Sequence, residues 1–99
     1  MNYIELERRL PSRYKHYLFI DDPNCSASSV FAVNGLRIKV KEYATRDDLD
    51  YRLIFCDVRK KDEEKFKKSM QDLINKMYLI GKTDYEEVAT RMLAELTQE

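Results

Sequence analysis

The sequence predicts an α+β fold, an antiparallel four-stranded meander ordered α-β-β-β-β-α-α with helices packed mainly on one face. Three observations predict it. Asn34-Gly35 separates two β-rich runs, Leu53-Ile54-Phe55-Cys56 is apolar at every position of a strand, and residues 62–97 carry two amphipathic helical stripes. The 99 residues suit one domain, residues 1–99, and no repeat or Gly/Ser linker divides them.

The elements follow in chain order. Asn2 suits a helix N-cap with Glu5 three residues on, Tyr3, Leu6 and Leu10 give helical spacing, and Pro11 stops the segment. Lys15 to Ile20 reads as a strand closed by the turn-rich Asp21-Asp22-Pro23-Asn24. A type I′ turn at Asn34-Gly35 joins the next two strands. Its register pairs Val33 with Leu36, Phe31 with Ile38 and Ser29 with Val40, which puts the large apolar residues on one side. A polar loop at Thr45 to Asp48 leads to a doubly covered inner strand from Asp50 to Val58. Asp62-Glu63-Glu64 then opens a helix with Phe66, Met70, Leu73 and Met77 on one face, running to about Ile80 before Gly81. The last helix begins at the capping box Thr83-Asp84-Tyr85-Glu86 and stripes Tyr85, Val88, Ala89, Met92, Leu93 and Leu96.

Composition excludes several classes. Eighteen basic residues balance eighteen acidic ones, and 43% of residues are hydrophobic, so the chain lacks the charge imbalance and apolar poverty of disordered proteins. The longest uncharged run, Pro23 to Leu36, is half polar and falls short of a membrane span. Met1 to Arg9 alternates charged and apolar residues, unlike a secretory signal, and reads as the authentic start. Two cysteines without a CxxC indicate an intracellular, cytoplasmic setting, in which the Asn24-Cys25-Ser26 sequon goes unread. Four Asn and two Gln beside 36% charged residues lean toward a heat-adapted composition, which the labile Asn34-Gly35 and Asp22-Pro23 bonds oppose.

No motif for catalysis or cofactor binding emerges. One His and two Cys cannot supply a zinc site. The loop from Asp22 has oxygen side chains at alternate positions, but Ala27 and Val33 stand where a calcium loop needs Gly and Glu. His16 with Cys25 or Cys56 is the one nucleophile–base pair available, and Cys56 sits in an apolar strand. Gly81-Lys82-Thr83 imitates the end of a phosphate-binding loop without its upstream glycine. Asp21-Asp22 and Asp47-Asp48 suit turns. The expectation is a protein without catalytic residues, cofactor or metal.

Charge placement says more. Residues 1–68 hold 15 basic and 12 acidic residues, residues 69–99 hold 3 and 6, a split of +3 and −3. The hairpin register aims Arg37, Lys39 and Lys41 one way, Arg52 joins them from the neighbouring strand, and Arg59-Lys60-Lys61 lies at that strand's end. Such a basic strand face, flanked by Tyr43 and Tyr51, can track a phosphate backbone and stack bases, although edge strands also carry Lys and Arg to block pairing. Seven tyrosines exceed core needs, and Tyr14, Tyr17, Tyr43 and Tyr78 are expected on the surface as contacts for a protein partner or a second copy of the chain.

The charged, Tyr-rich chain opening Met1-Asn2-Tyr3-Ile4-Glu5-Leu6-Glu7 resembles small uncharacterised proteins of archaeal filamentous and rod-shaped viruses and of phages. That resemblance implies a modulator of host or viral machinery that binds protein or nucleic acid. The expected function is therefore a small non-catalytic intracellular binding protein acting through a protein partner or as a homo-oligomer, with nucleic-acid binding by the basic strand face as the alternative.

Overall fold

The computed structural model describes residues 1–7, 11–45 and 51–97. The fold is α+β, a four-stranded antiparallel sheet with three helices. Strands β1 (Tyr3–Leu6), β2 (Tyr14–Asp21), β3 (Lys39–Thr45) and β4 (Arg52–Arg59) stand in the order β1-β2-β4-β3. Helix α1 (Ala27–Val33) lies between β2 and β3, and a 3-10 turn at Lys60–Asp62 leads from β4 into α2 (Glu63–Leu79) and α3 (Tyr85–Thr97).

The inner strands behave as their composition predicts. β4 pairs with β2 over its whole length and with β3 on its other side, so Leu53, Ile54, Cys56 and Val58 are all buried. Successive side chains of a strand point to opposite faces, and Tyr17 and Phe19 therefore share one face. Phe66 of α2 stacks on Tyr17 at a ring separation of 4.2 Å, and Phe31 of α1 meets Phe19 edge-on at 5.6 Å. Those two contacts seat α1 and α2 on the same face of the sheet. The α2 stripe of Phe66, Met70, Leu73 and Met77 is fully buried, as are Tyr85, Ala89, Met92 and Leu93 of α3, whereas Leu96 points outward.

Two elements correct the expected order. The segment predicted as an opening helix is β1, pairing Tyr3 with Phe19 and Leu6 with His16. Asn2 does not cap a helix. Its buried amide donates to the Met70 carbonyl at 3.1 Å and to the Tyr85 hydroxyl at 3.0 Å, while its carbonyl accepts from the Ile20 amide at 3.3 Å. A short segment gains more from completing the sheet edge than from one helical turn, since helix nucleation is costly. The expected Leu10 end of that helix lies outside the described residues.

The hairpin is likewise replaced. Residues 27–33 are helical because Ser26 caps them, its hydroxyl accepting from the Ser28 amide at 3.2 Å, and because Ala27, Val30 and Phe31 bury one face at i, i+3 and i+4. Asn34 has φ −87°, which excludes a type I′ turn, and Gly35 alone takes a left-handed φ of +65°. The amide of Gly35 reaches the Ala32 carbonyl at 3.1 Å and that of Leu36 the Phe31 carbonyl at 2.8 Å, a Schellman cap sealed by buried Phe31 and Leu36. Gly81 ends α2 in the same way, Lys82 reaching back to Met77 at 2.9 Å. The register built on the hairpin therefore fails. Lys39 instead lies opposite Asp57 and Val40 opposite Cys56, with a bulge at Lys41 before Glu42 pairs with Phe55. The expected loop residues 46–48, the Asp47-Asp48 pair among them, and the Asp50 start of the inner strand lie outside the described residues.

Candidate nucleic-acid interface

The basic residues expected to form one strand face separate into three groups. Arg52 is engaged: its Nε donates to the Asp21 carboxylate at 2.6 Å and a terminal nitrogen donates at 3.2 Å. Asp21 is completely buried and also accepts the Ala27 amide at 3.1 Å, so this forked pair holds α1 to the sheet. Lys41 is engaged through an ion pair to Asp57 at 3.5 Å, on the side where His16 Nδ1 meets the same carboxylate. Arg37 stands apart, beside α1, and Lys39 is exposed on the edge strand. The continuous basic strand face expected from the hairpin is thus broken up.

The third group forms a site. The β2–β4 register sets Tyr14 opposite Arg59, and the Lys60 amide donates to the Arg13 carbonyl at 2.9 Å, which pins the start of β2 to the 3-10 turn. Arg13, Tyr14, Arg59, Lys60 and Lys61 consequently line one hollow of about 450 Å³ at the end of the sheet. The two acids that follow Lys61 in the sequence, Asp62 and Glu63, are paired with other cations. Glu63 accepts from Lys15 at 2.8 Å and pairs with Lys67 at 3.3 Å, and these two cations hold its carboxyl below the usual range. Asp62 lies 4.0 Å from Lys65. Among the described residues, none of the four cations in the hollow has an ion-pair partner, so each keeps its charge available to an external anion. Lys39 lies opposite Asp57 on the edge strand and is not among the residues that line the hollow.

The tyrosines divide differently from expectation. Tyr17 is a correction: at 1% exposure it is a core residue between Tyr3 and Phe66, because β2 is an inner strand. Burial pushes its hydroxyl up to about 12, and among the described residues the hydroxyl has no hydrogen-bond partner. Tyr14 is half-buried at the hollow, Tyr43 lies on β3 opposite Ile54, and Tyr78 is 66% exposed at the end of α2. Tyr51 is buried, edge-on to Tyr85 at 5.5 Å, with the Lys82 ammonium 5.3 Å from its ring centre.

His16 meets the Asp57 carboxylate and lies opposite Leu6 and Asp57 in the sheet, not opposite either cysteine. Cys56 sits on the opposite face of β4 from Asp57, fully buried, and burial raises its thiol to about 12. Cys25 is buried in the turn after β2, where its amide donates to the Asp22 carbonyl at 2.9 Å. Asp22 itself is a turn residue: its carboxylate accepts the Asn24 amide at 2.8 Å and is held by Lys82. Burial opposes its charge, but Lys82, the Asn24 amide and Arg52 outweigh burial and keep the carboxyl below its ordinary value. Among the described residues no cluster of three His, Cys, Asp or Glu is arranged for a metal, and no helix is long and apolar enough to cross a membrane.

Arg13 is the contributor that sequence reasoning missed. It follows the Pro11-Ser12 break and carries no motif, and only the β2–β4 register brings it to Arg59. No protein-family model, curated protein or solved structure matches the chain.

Proposed function

We propose that this is a binding protein without catalytic chemistry whose ligand is the phosphate backbone of single-stranded nucleic acid, held in the hollow at the end of the sheet. In the setting its resemblance implies, it would act as a viral or mobile-element modulator of host machinery. The observation that carries the reading is the convergence of Arg13, Arg59, Lys60 and Lys61, none paired to a described carboxylate, around one aromatic ring, Tyr14. Cations track the phosphates and an aromatic face accepts an unstacked base. The overall charge of zero removes general attraction to polyanions, which leaves binding dependent on this local patch.

Fluorescence anisotropy with labelled single-stranded DNA and RNA of mixed sequence tests it. Arg59→Gln with Lys60→Gln removes two exposed charges and no core contact. Binding by the unaltered protein that falls at least about tenfold in the variant supports the reading. Equal binding by both proteins overturns it.

A second reading rests on Tyr78, Leu79 and Ile80, three consecutive large apolar residues exposed by 66%, 84% and 52% at the corner between α2 and α3. Such a patch is a site for a protein partner or a second copy of the chain. Leu79→Asp would abolish self-association or partner capture while leaving nucleic-acid binding intact.

A further inference from the structure

A second cavity shares no residue with the basic hollow. It lies between α1 and the β3–β4 edge, with Phe19, Phe31, Ile38, Val40 and Ile54 contributing apolar walls. Its open volume is about 340 Å³, within the range of small-molecule sites. At the ~30 Å³ that each water occupies in the liquid, that is room for about ten non-hydrogen atoms. Water against these apolar walls finds few hydrogen-bond partners there, so an apolar group displaces it favourably from that part of the cleft.

The polar groups around the cleft select the rest of the ligand. On the floor, Asp21 and Arg52 neutralise each other, and Asp21 also accepts the Ala27 amide at 3.1 Å. At the rim, the Ser26 and Ser28 hydroxyls are 2.7 Å apart and bond to one another. Arg37 is exposed and, among the described residues, makes no ion pair. The cleft therefore carries one unneutralised positive charge at the edge of an apolar chamber. We propose that it binds a small amphipathic carboxylic acid, its aromatic or branched aliphatic body between Phe31 and Ile54 and its carboxylate on the Arg37 guanidinium. A single guanidinium matches one carboxylate in a forked pair, whereas a hydrated dianion would face the apolar walls without compensation.

The test is a titration of backbone amide NMR shifts with two probes of one shape, 3-phenylpropionate and the neutral 3-phenylpropanamide. The expected result is a saturable response at Ala27, Phe31, Arg37, Ile38 and Ile54, with the acid binding at least about fivefold tighter than the amide. Arg37→Gln alters an exposed side chain and should bring the acid down to the affinity of the amide while leaving the amide unchanged. Val40→Trp, at a residue 36% exposed, should fill the mouth and abolish binding of both probes, with a thermal melt confirming the fold. Equal affinities for acid and amide would make the cleft merely apolar and overturn the proposal. Shifts that climb without saturating to about 10 mM, acid binding indifferent to Arg37→Gln, or probes still bound by Val40→Trp would also overturn it.

Discussion

Tyr85→Phe and Tyr17→Phe delete the same atom from two tyrosines of equal exposure, 1% each, and should have opposite consequences. The Tyr85 hydroxyl donates to the Ile20 carbonyl and accepts from the Asn2 amide at 3.0 Å, joining β1, β2 and the start of α3. Removing it leaves a buried acceptor and a buried donor short of a partner. The Asn2 amide retains the Met70 carbonyl, so the loss amounts to roughly one fully unsatisfied group, about 2 kcal/mol. In a domain of this size that lowers the melting temperature by about 8–16 °C. The Tyr17 hydroxyl has no partner among the described residues, so deleting it removes a desolvation cost and leaves the stacking of the ring on Phe66 intact. The expected change runs from zero to a gain of about 1 kcal/mol. Urea unfolding followed by circular dichroism measures both, with unchanged slopes and a midpoint about 1 M lower for Tyr85→Phe. A Tyr85→Phe loss below about 0.5 kcal/mol, or a Tyr17→Phe loss above about 1 kcal/mol, would mean that these hydroxyls do not differ as their contacts require.

Three further outcomes follow from the same contacts. Gly35→Ala should cost about 1 kcal/mol in urea unfolding, because φ +65° is unfavourable for a side chain although nothing lies within 4 Å of the new methyl group. Arg52→Met strands the buried Asp21 carboxylate and should cost about 3–5 kcal/mol at neutral pH, much of it recovered when Asp21→Asn is added. Asp22, whose folded carboxyl lies below its unfolded value of 3.8, contributes stability that is complete above that value and disappears as pH falls through the lower folded one. Melting temperatures from pH 6 down to pH 2 should therefore fall less steeply for Asp22→Asn than for the unaltered protein.

What was legible depended on how much of each signal was local. Helices α2 and α3 were readable because Phe66, Met70, Leu73 and Met77, and later Tyr85, Ala89 and Met92, repeat at helical spacing over many residues. The inner strand β4 was readable from its unbroken apolar run. β1 and α1 were not, because each is short and its conformation is decided by what it touches: Asn2 by Met70 and Tyr85, Ala27 by Asp21. Asn34-Gly35 shows the ambiguity most clearly, since a positive-φ glycine after an Asn serves a hairpin and a helix cap equally well. The electrostatic reading suffered from the same step. The hairpin register that would group Arg37, Lys39 and Lys41 does not form, whereas Arg59, Lys60 and Lys61 stand together because they are contiguous. Arg13 joined them through a pairing that no local pattern encodes.

Engagement of phosphates by the hollow, as proposed, is tested most directly by the salt dependence of binding to single-stranded DNA between 50 and 200 mM. Four cations predict a log–log slope of about −3, falling to about −1.5 when Arg59→Gln and Lys60→Gln remove two of them. A slope near zero, or one that the two substitutions leave unchanged, would mean that the hollow does not engage phosphates.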